Sequence, residues 1–331
     1  MALSRHRKEI KTIAVLTSGG DAPGMNAALR AVVRYSIAKG LRVYGSKKGY
    51  SGLLDGNLSE LDRKSVANII QRGGTILKTD RCDEFRTRSG RASAAKNLRE
   101  KGIDALVVIG GDGSFRGAHA LWQEQNIPVI GVPGTIDNDI NGTDFTIGFD
   151  TAVNTAIQSI DKIRDTASSH ERTFIVEVMG RNSGHIALEV GIGGGAEAIV
   201  LPEHKLSQSA LASRVKKGME RGKTSSIIVL AEGKTPGGSF QLAKELEKRY
   251  KISAKVCILG HVQRGGAPTA RDRSLASRMG AGAVRALLDG YTDLMVGIKG
   301  EKEALVPLKD AVKKAEKIGD ELINLAQILA L

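Results

Sequence analysis

Short apolar runs recur along this chain, each followed by a glycine-rich polar turn and often by a stretch with helical spacing. Thr12–Leu16 (TIAVL) predicts a buried strand, Ser18–Gly24 (SGGDAPG) a turn, and Met25–Ala38 a helix with Ala, Leu and Val at helical spacing. Asp104–Ile109 (DALVVI) predicts a second strand, ending in Gly110–Ser114 (GGDGS), and Pro128–Val132 (PVIGV) a third, ending in Gly134–Asp139 (GTIDND). A helix is predicted around Thr151–Thr166, with Ala152, Ala156, Ile160 and Ile163 as its apolar positions. Phe174–Val178, Ser226–Leu230 and Lys255–Leu259 predict further strands that lead into Met179–Gly184, Ala231–Gly233 and Gly260–Gly266. Strands alternating with helices predict an α/β fold with mainly parallel sheets covered on both faces. Ligands of such sheets bind beyond the carboxyl ends of the strands. Each glycine cluster falls at such an end, a topological reason to gather them into one site. No fixed repeat period and no low-complexity linker divides the chain, so two intimately packed α/β domains are expected.

Charge changes this picture in one respect. The chain carries a formal net charge of +13, but its basic residues are spread along 331 positions and only 4% of its residues are aromatic. A nucleic-acid binder would cluster bases with aromatics; here the basic start (Arg5, His6, Arg7, Lys8, Lys11) is short. Anionic small molecules make better use of the excess, because phosphates need Arg and Lys. The two cysteines, Cys82 and Cys257, are far apart and lack metal-ligand spacing, which fits a reducing compartment. No apolar run reaches the ~18 residues of a membrane span, and the N-terminus has no apolar signal core. A cytoplasmic location, with no membrane and no nucleic-acid partner, is the expectation.

Three groups carry candidate chemistry. In Gly110-Gly111-Asp112-Gly113-Ser114, glycines let backbone N–H groups approach phosphate oxygens. A carboxylate among them can hold Mg2+ while the phosphates complete its shell. Asp112 is thus a candidate metal residue and Ser114 a helix N-cap or phosphate donor, although a plain strand–helix turn fits the same residues. In Gly134-Thr135-Ile136-Asp137-Asn138-Asp139, one carboxylate is able to accept a proton from an attacking hydroxyl and the other to orient a cation; an Asx-rich turn fits equally. Met179-Gly180-Arg181, with Arg172 upstream and Gly260–Gly266 (GHVQRGG) downstream, offers Arg and His at strand ends for a substrate phosphate. Two other patterns are dismissed on context. Gly222-Lys223-Thr224 has Lys217 where a Walker A motif needs glycine, and Gly191–Ala196 precedes an apolar run instead of following a strand.

Taken in order and spacing, these stretches resemble the bacterial 6-phosphofructokinases. The resemblance runs from about Thr12 to about Ile298, through VLTSGGDAPGMN (Val15–Asn26), RGGT (Arg72–Thr75), GGDGS, PGTIDNDI, RDTASSHER (Arg164–Arg172), VEVMGR (Val176–Arg181) and LGHVQRGGAP (Leu259–Pro268). It implies two similar three-layer α/β/α domains with the active site in the cleft between them. The expected boundaries are 1–149 plus 262–307 for a nucleotide-binding domain and 150–261 plus 308–331 for a sugar-phosphate-binding domain. The implied reaction uses ATP, with Mg2+, to phosphorylate fructose 6-phosphate at its 1-hydroxyl, in a homotetramer whose active site is shared between subunits.

By the same resemblance, Asp137 is the base, with Thr135 and Gly20 beside the reacting groups. Asp139 orients Arg181, and Arg181 stabilises the transferring phosphoryl. ATP is held by Gly20, Arg81, Cys82, Phe85, Arg86, Gly111, Asp112, Gly113, Ser114 and Gly117. The sugar phosphate is held by Thr135, Ile136, Asp137, Met179, Gly180, Arg181, Glu232, His261, Gln263 and Arg264, with Arg172 and Lys255 reaching from a neighbouring subunit. An effector site is implied by Arg30, Arg34, Arg164, Gly195, Glu197, Arg221 and Lys223. The chain departs from the family where Lys255 replaces an Arg, Lys47 replaces the aromatic beside adenine, and Leu54 and Thr224 replace a Tyr and a Lys of the effector site. Pyrophosphate-using relatives carry Asp where this chain has Gly113 and Lys where it has Gly134, which favours ATP as donor. A pyrophosphate-dependent enzyme, a kinase for a related sugar phosphate and a non-catalytic regulatory subunit are the alternatives.

Overall fold

The computed structural model describes residues 3–170, 172–204, 206–233, 237–314 and 318–330, so Glu171 of the RDTASSHER stretch lies outside the described residues. In chain order the first elements are β1 (Thr12–Ser18), α1 (Met25–Ala38), β2 (Arg42–Ser46), α2 (Gly49–Leu54), β3 (Leu58–Glu60), α3 (Arg88–Glu100), β4 (Ala105–Gly110), α4 (Asp112–Gln125) and β5 (Val129–Pro133). There follow α5 (Phe149–Ser169), β6 (Thr173–Val178), α6 (His185–Gly193), β7 (Ala198–Val200), α7 (Gln208–Glu220), β8 (Ser226–Ala231), α8 (Gly238–Tyr250) and β9 (Ala254–Ile258). The last elements are α9 (Ala270–Leu288), β10 (Leu294–Lys299), β11 (Lys302–Pro307), α10 (Leu308–Ala311) and α11 (Asp320–Leu329). The chain forms two compact units: residues 1–136, 140–150 and 264–315, and residues 137–139, 151–263 and 316–331.

The first unit is built on a seven-stranded sheet ordered β11-β10-β5-β4-β1-β2-β3. Its five central strands are parallel, while β3 and β11 pair antiparallel at the edges. Strands buried on both faces read as unbroken apolar runs, as β1 and β4 do. Alternate residues then serve opposite layers. Ala14, Leu16, Leu106 and Val108 join one core with Leu53, Leu98, Phe115 and Leu121 of α2, α3 and α4. Ile13, Val15, Val107 and Ile109 are equally buried but point to the opposite layer, where α1 and α9 pack. Those two helices meet closely because Gly280 has no side chain: a Cβ there would lie 2.6 Å from the Ala28 carbonyl. Residues 308–314 belong to this unit, not to the second domain as expected, because Leu308 and Ala311 complete its core.

The second unit holds a parallel four-stranded sheet ordered β7-β8-β6-β9. Ile175, Ala198 and Ile228 face α7 and α8 through Leu211, Ala212, Val215 and Leu246, while α6 packs on β7 and β8 and carries α11. Both units are α/β with mainly parallel sheets; they differ in strand number. No described helix is long and apolar enough to cross a membrane.

Candidate active site

Chain order in the first sheet reverses between β1 and β4, since the chain leaves β1 toward β2 and returns on the other side at β4. Such a switch point opens a crevice at the carboxyl ends of the two strands. The turns Ser18–Gly24 and Gly110–Ser114 sit there. Helix α4 opens directly on the second turn, with Gly111 as its N-cap and Asp112 in its first turn. The expectation that Ser114 caps this helix is corrected: Ser114 lies inside the first turn and is buried. Its hydroxyl packs so near Gly110 that a Cβ on that glycine would be 2.6 Å away. Four backbone N–H groups at a helix start lack internal partners and attract anions. At Gly113 a Cβ would meet no atom within 4 Å. Asp112 remains largely exposed, its carboxylate 3.7 Å from Arg116.

One wall of this region is aromatic. The Phe85 ring, in a 3₁₀ turn over Glu84–Arg86, stacks on Tyr50 with centroids 3.9 Å apart. Burial pushes the Tyr50 phenol up, so it stays protonated and donates to the Ser114 carbonyl at 2.6 Å. A Cβ on Gly117 would lie 3.1 Å from Phe85, tighter than an ordinary contact, so the glycine lets the ring close against α4. The 3₁₀ turn is fastened from behind by Arg91, which donates to the Phe85 and Arg86 carbonyls at 2.9 and 2.7 Å and pairs in a fork with Glu124. Arg81 and Arg86 are exposed and Cys82 is half-buried at the edge of the same core. Lys47 is exposed.

Gly20 is closely approached by a side chain. The Arg264 guanidinium occupies the space its Cβ would take, and donates to the Asp21 carbonyl at 3.0 Å. Thr135, half-buried after β5, lies beside Gly111 and accepts from the Thr146 hydroxyl through its carbonyl.

In the second unit, Asp137 is buried and its carbonyl accepts from the Ser183 hydroxyl at 2.8 Å. The next residue, Asn138, has φ 49, and Arg181 has φ 53. Non-glycine residues held in the left-handed region carry strain that surrounding bonds must sustain. At Arg181 one such bond is visible: its N–H donates to Glu232 at 3.0 Å. Gly180 has φ 142, and a Cβ there would collide with the Ser183 carbonyl. Met179 is almost covered, whereas Arg172, Lys255 and His261 are exposed. Ile136 and Gln263, expected to touch substrate, have no exposed surface. Sequence reasoning assigned both from their place in a motif, which does not distinguish a lining residue from a supporting one.

The residues of this unit expected at an effector site also gather. Arg164 donates to the Gly194 and Gly195 carbonyls and lies 3.9 Å from Glu197, which Lys223 approaches at 3.4 Å. Glu197 is buried and accepts the Ile227 N–H at 2.6 Å. Arg221 is exposed, while Arg30 and Arg34 lie on α1.

A family model described as phosphofructokinase matches residues 12–287. The chain belongs to this family. Among its relatives, ATP-dependent 6-phosphofructokinase 1 of Thermus thermophilus is 56% identical over 323 residues, covering 97% of this chain and 100% of the relative. The ATP-dependent 6-phosphofructokinase of Thermotoga neapolitana is 55% identical over 321 residues, with the same coverage. The phosphofructokinase structure of Saccharomyces cerevisiae superimposes with a TM-score of 0.86 at 38% identity, over 96% of this chain and 46% of the yeast chain. A pyrophosphate-dependent phosphofructokinase of Marinobacter aquaeolei shares the fold, with a TM-score of 0.83 at 23% identity over 94% of this chain and 86% of that one.

Proposed function

We propose that this chain transfers the γ-phosphoryl group of ATP to the 1-hydroxyl of fructose 6-phosphate, giving ADP and fructose 1,6-bisphosphate, the glycolytic step. Relatives more than half identical along their whole length and named as ATP-dependent support the reading. The observation that carries the donor is the open space at Gly113, beside the start of α4. A carboxylate at this position would meet a nucleotide phosphate with like charge; glycine leaves room.

In this reading Asp137 takes the proton of the sugar 1-hydroxyl as its oxygen attacks the γ-phosphorus and ADP departs. Asp139 orients Arg181, and the Arg181 guanidinium stabilises charge on the transferring group. Gly20 and Thr135 border the reacting atoms. Arg81, Cys82, Phe85, Arg86, Gly111, Ser114 and Gly117 hold the nucleotide. Met179, Gly180, Glu232, His261 and Arg264 hold the sugar phosphate, assisted by Arg172 and Lys255 of a neighbouring subunit in a homotetramer. A cation that arrives with a nucleotide needs only one or two protein carboxylates. The exposed Asp112 carboxylate fits that need, and the described residues contain no cluster of three or more acidic, His or Cys groups for a self-sufficient metal site. Asp112 would hold Mg2+, which would supply charge neutralisation on the phosphates. Arg30, Arg34, Arg164, Gly195, Glu197, Arg221 and Lys223 bind a phosphorylated effector, and the protein works in the cytoplasm.

The test is a donor comparison. Purified protein with Mg2+ and fructose 6-phosphate should form fructose 1,6-bisphosphate with ATP and not with pyrophosphate. The variant Gly113→Asp should raise KM for ATP about tenfold or more, since like charges brought together cost several kcal/mol. Turnover with pyrophosphate overturns the assignment of the donor, and turnover with neither overturns the acceptor.

A further inference from the structure

The second sheet ends irregularly on one side. Strand β9 pairs with β6 as far as Glu177 opposite Ile258, and the Leu259 N–H still donates to the Glu177 carbonyl at 3.0 Å. In a parallel ladder the next bond would run from the Met179 N–H to a carbonyl of the continuing strand. The chain does not continue. Gly260, at φ 52, turns it into a 3₁₀ turn over Gly260–Arg264. The vacated acceptor position is taken by a side chain: Gln263 Oε1 accepts the Met179 N–H at 2.8 Å. Its Nε2 faces the Ala152 carbonyl at 3.5 Å, at the start of α5. Because Met179 N–H is a donor, the amide orientation is fixed by its partners. Gln263 is fully buried.

We infer that Gln263 is a positioning residue: its amide ties the turn bearing Met179, Gly180 and Arg181 to the turn bearing His261, without itself contacting the sugar phosphate. The inference rests on the function proposed above for those two turns. A second tie joins the turn after β6 to the segment after β8, through Glu232 and the Arg181 N–H. The turn needs such ties because Gly180 and Arg181 both hold positive φ, and at Arg181 that conformation is uphill for a residue with a side chain. Losing the Gln263 acceptor leaves a buried Met179 N–H unsatisfied, so the turn relaxes away from the geometry that receives the substrate.

Two variants and two readouts test this. Gln263→Met fills the same volume without an acceptor. It should raise KM for fructose 6-phosphate about tenfold, with the larger part of the loss in KM rather than kcat and with KM for ATP little changed. Amide hydrogen exchange in a peptide spanning Met179–Asn182 should accelerate at the same time. Gln263→Glu in its protonated form reproduces both the acceptor and the donor, so KM should approach the parent value in acid; as pH rises the ionised acid still accepts the Met179 N–H but loses its donor and repels the Ala152 carbonyl, so KM should climb. Unaltered exchange at Met179–Asn182 in Gln263→Met overturns the brace even if the parent enzyme proves to act on another substrate. A parallel loss of kcat and of both KM values, without a pH-dependent rescue, reduces Gln263 to general stability and also overturns it. Failure of the parent protein to turn over ATP with fructose 6-phosphate condemns the functional reading instead, and the exchange measurement then decides the brace alone.

Discussion

Asp137 combines burial with a backbone anchored to Ser183 and a neighbour, Asn138, in the left-handed region. A general base must be held before the substrate arrives, and such anchoring limits the freedom of the turn that presents it. Asp137→Ser removes the proposed proton acceptor and should lower kcat by about 100- to 10,000-fold, with KM for fructose 6-phosphate little changed. Steady-state kinetics check it, and a kcat near that of the parent would exclude Asp137 as base. At this scale sequence and structure agree unevenly. The residue types needed for phosphoryl transfer were legible because glycines, carboxylates and arginines cluster after apolar runs. The cap of α4 was not: serine is the commoner cap, yet the helix already begins at Asp112, so Gly111 is the cap and Ser114 is buried in the first turn. Nor was the inward aim of Gln263, which depends on where β9 stops.

Among the elements, the six predicted strands and the two predicted helices, α1 and α5, fall within a few residues of those observed, whereas β10 and the long helix α9 were not singled out despite their buried apolar positions. Strand β3 is three residues with a single buried position, and β11 is an edge strand whose apolar residues are only half-buried, so neither stands out as a buried run. The junction of β1 and β4 also depends on one polar group. Asp104 accepts the Lys11 and Thr12 N–H groups at 2.9 Å each and pairs with Lys8 at 3.0 Å. Burial works to raise this carboxyl, but the Lys11 N–H, the Lys8 ammonium and the Thr12 N–H together hold it below its ordinary value. A carboxyl lowered in the native state contributes stability that is full above its unfolded pKa and is lost as pH falls through its native pKa. Asp104→Asn should therefore cost about 1–2 kcal/mol at pH 7, and the gap from the parent should close in acid. Denaturant midpoints at neutral pH and near pH 3 measure it; an equal gap at both would contradict the charge-based account.

For the whole molecule, two α/β units were legible, with the cuts near residues 150 and 262 falling within two residues of those observed; the short excursion 137–139 and the last boundary were not, since contacts of Leu308 and Ala311 decide where the chain after β11 belongs. The proposed sharing of the sugar-phosphate site between subunits brings Lys255 into view. This exposed residue of β9 carries a point charge where the resemblance expects a guanidinium fork. Lys255→Arg should lower the fructose 6-phosphate concentration for half-maximal rate several-fold, and the protein is expected to sediment as a tetramer. No change in that concentration would remove Lys255 from the site.

The chain enters the second unit and then returns to the first, and this order has a consequence during synthesis. All four strands of the second sheet have left the ribosome once Ile258 has emerged, whereas β5 must wait for its neighbour β10 until after Leu294. Translation at roughly 5–20 residues per second makes that a wait of seconds. The inserted sheet can thus close while its host still shows a raw strand edge. For that interval the nascent chain depends on chaperones or on speed, and a slow codon run between Ile258 and Leu294 would prolong the exposure of β5.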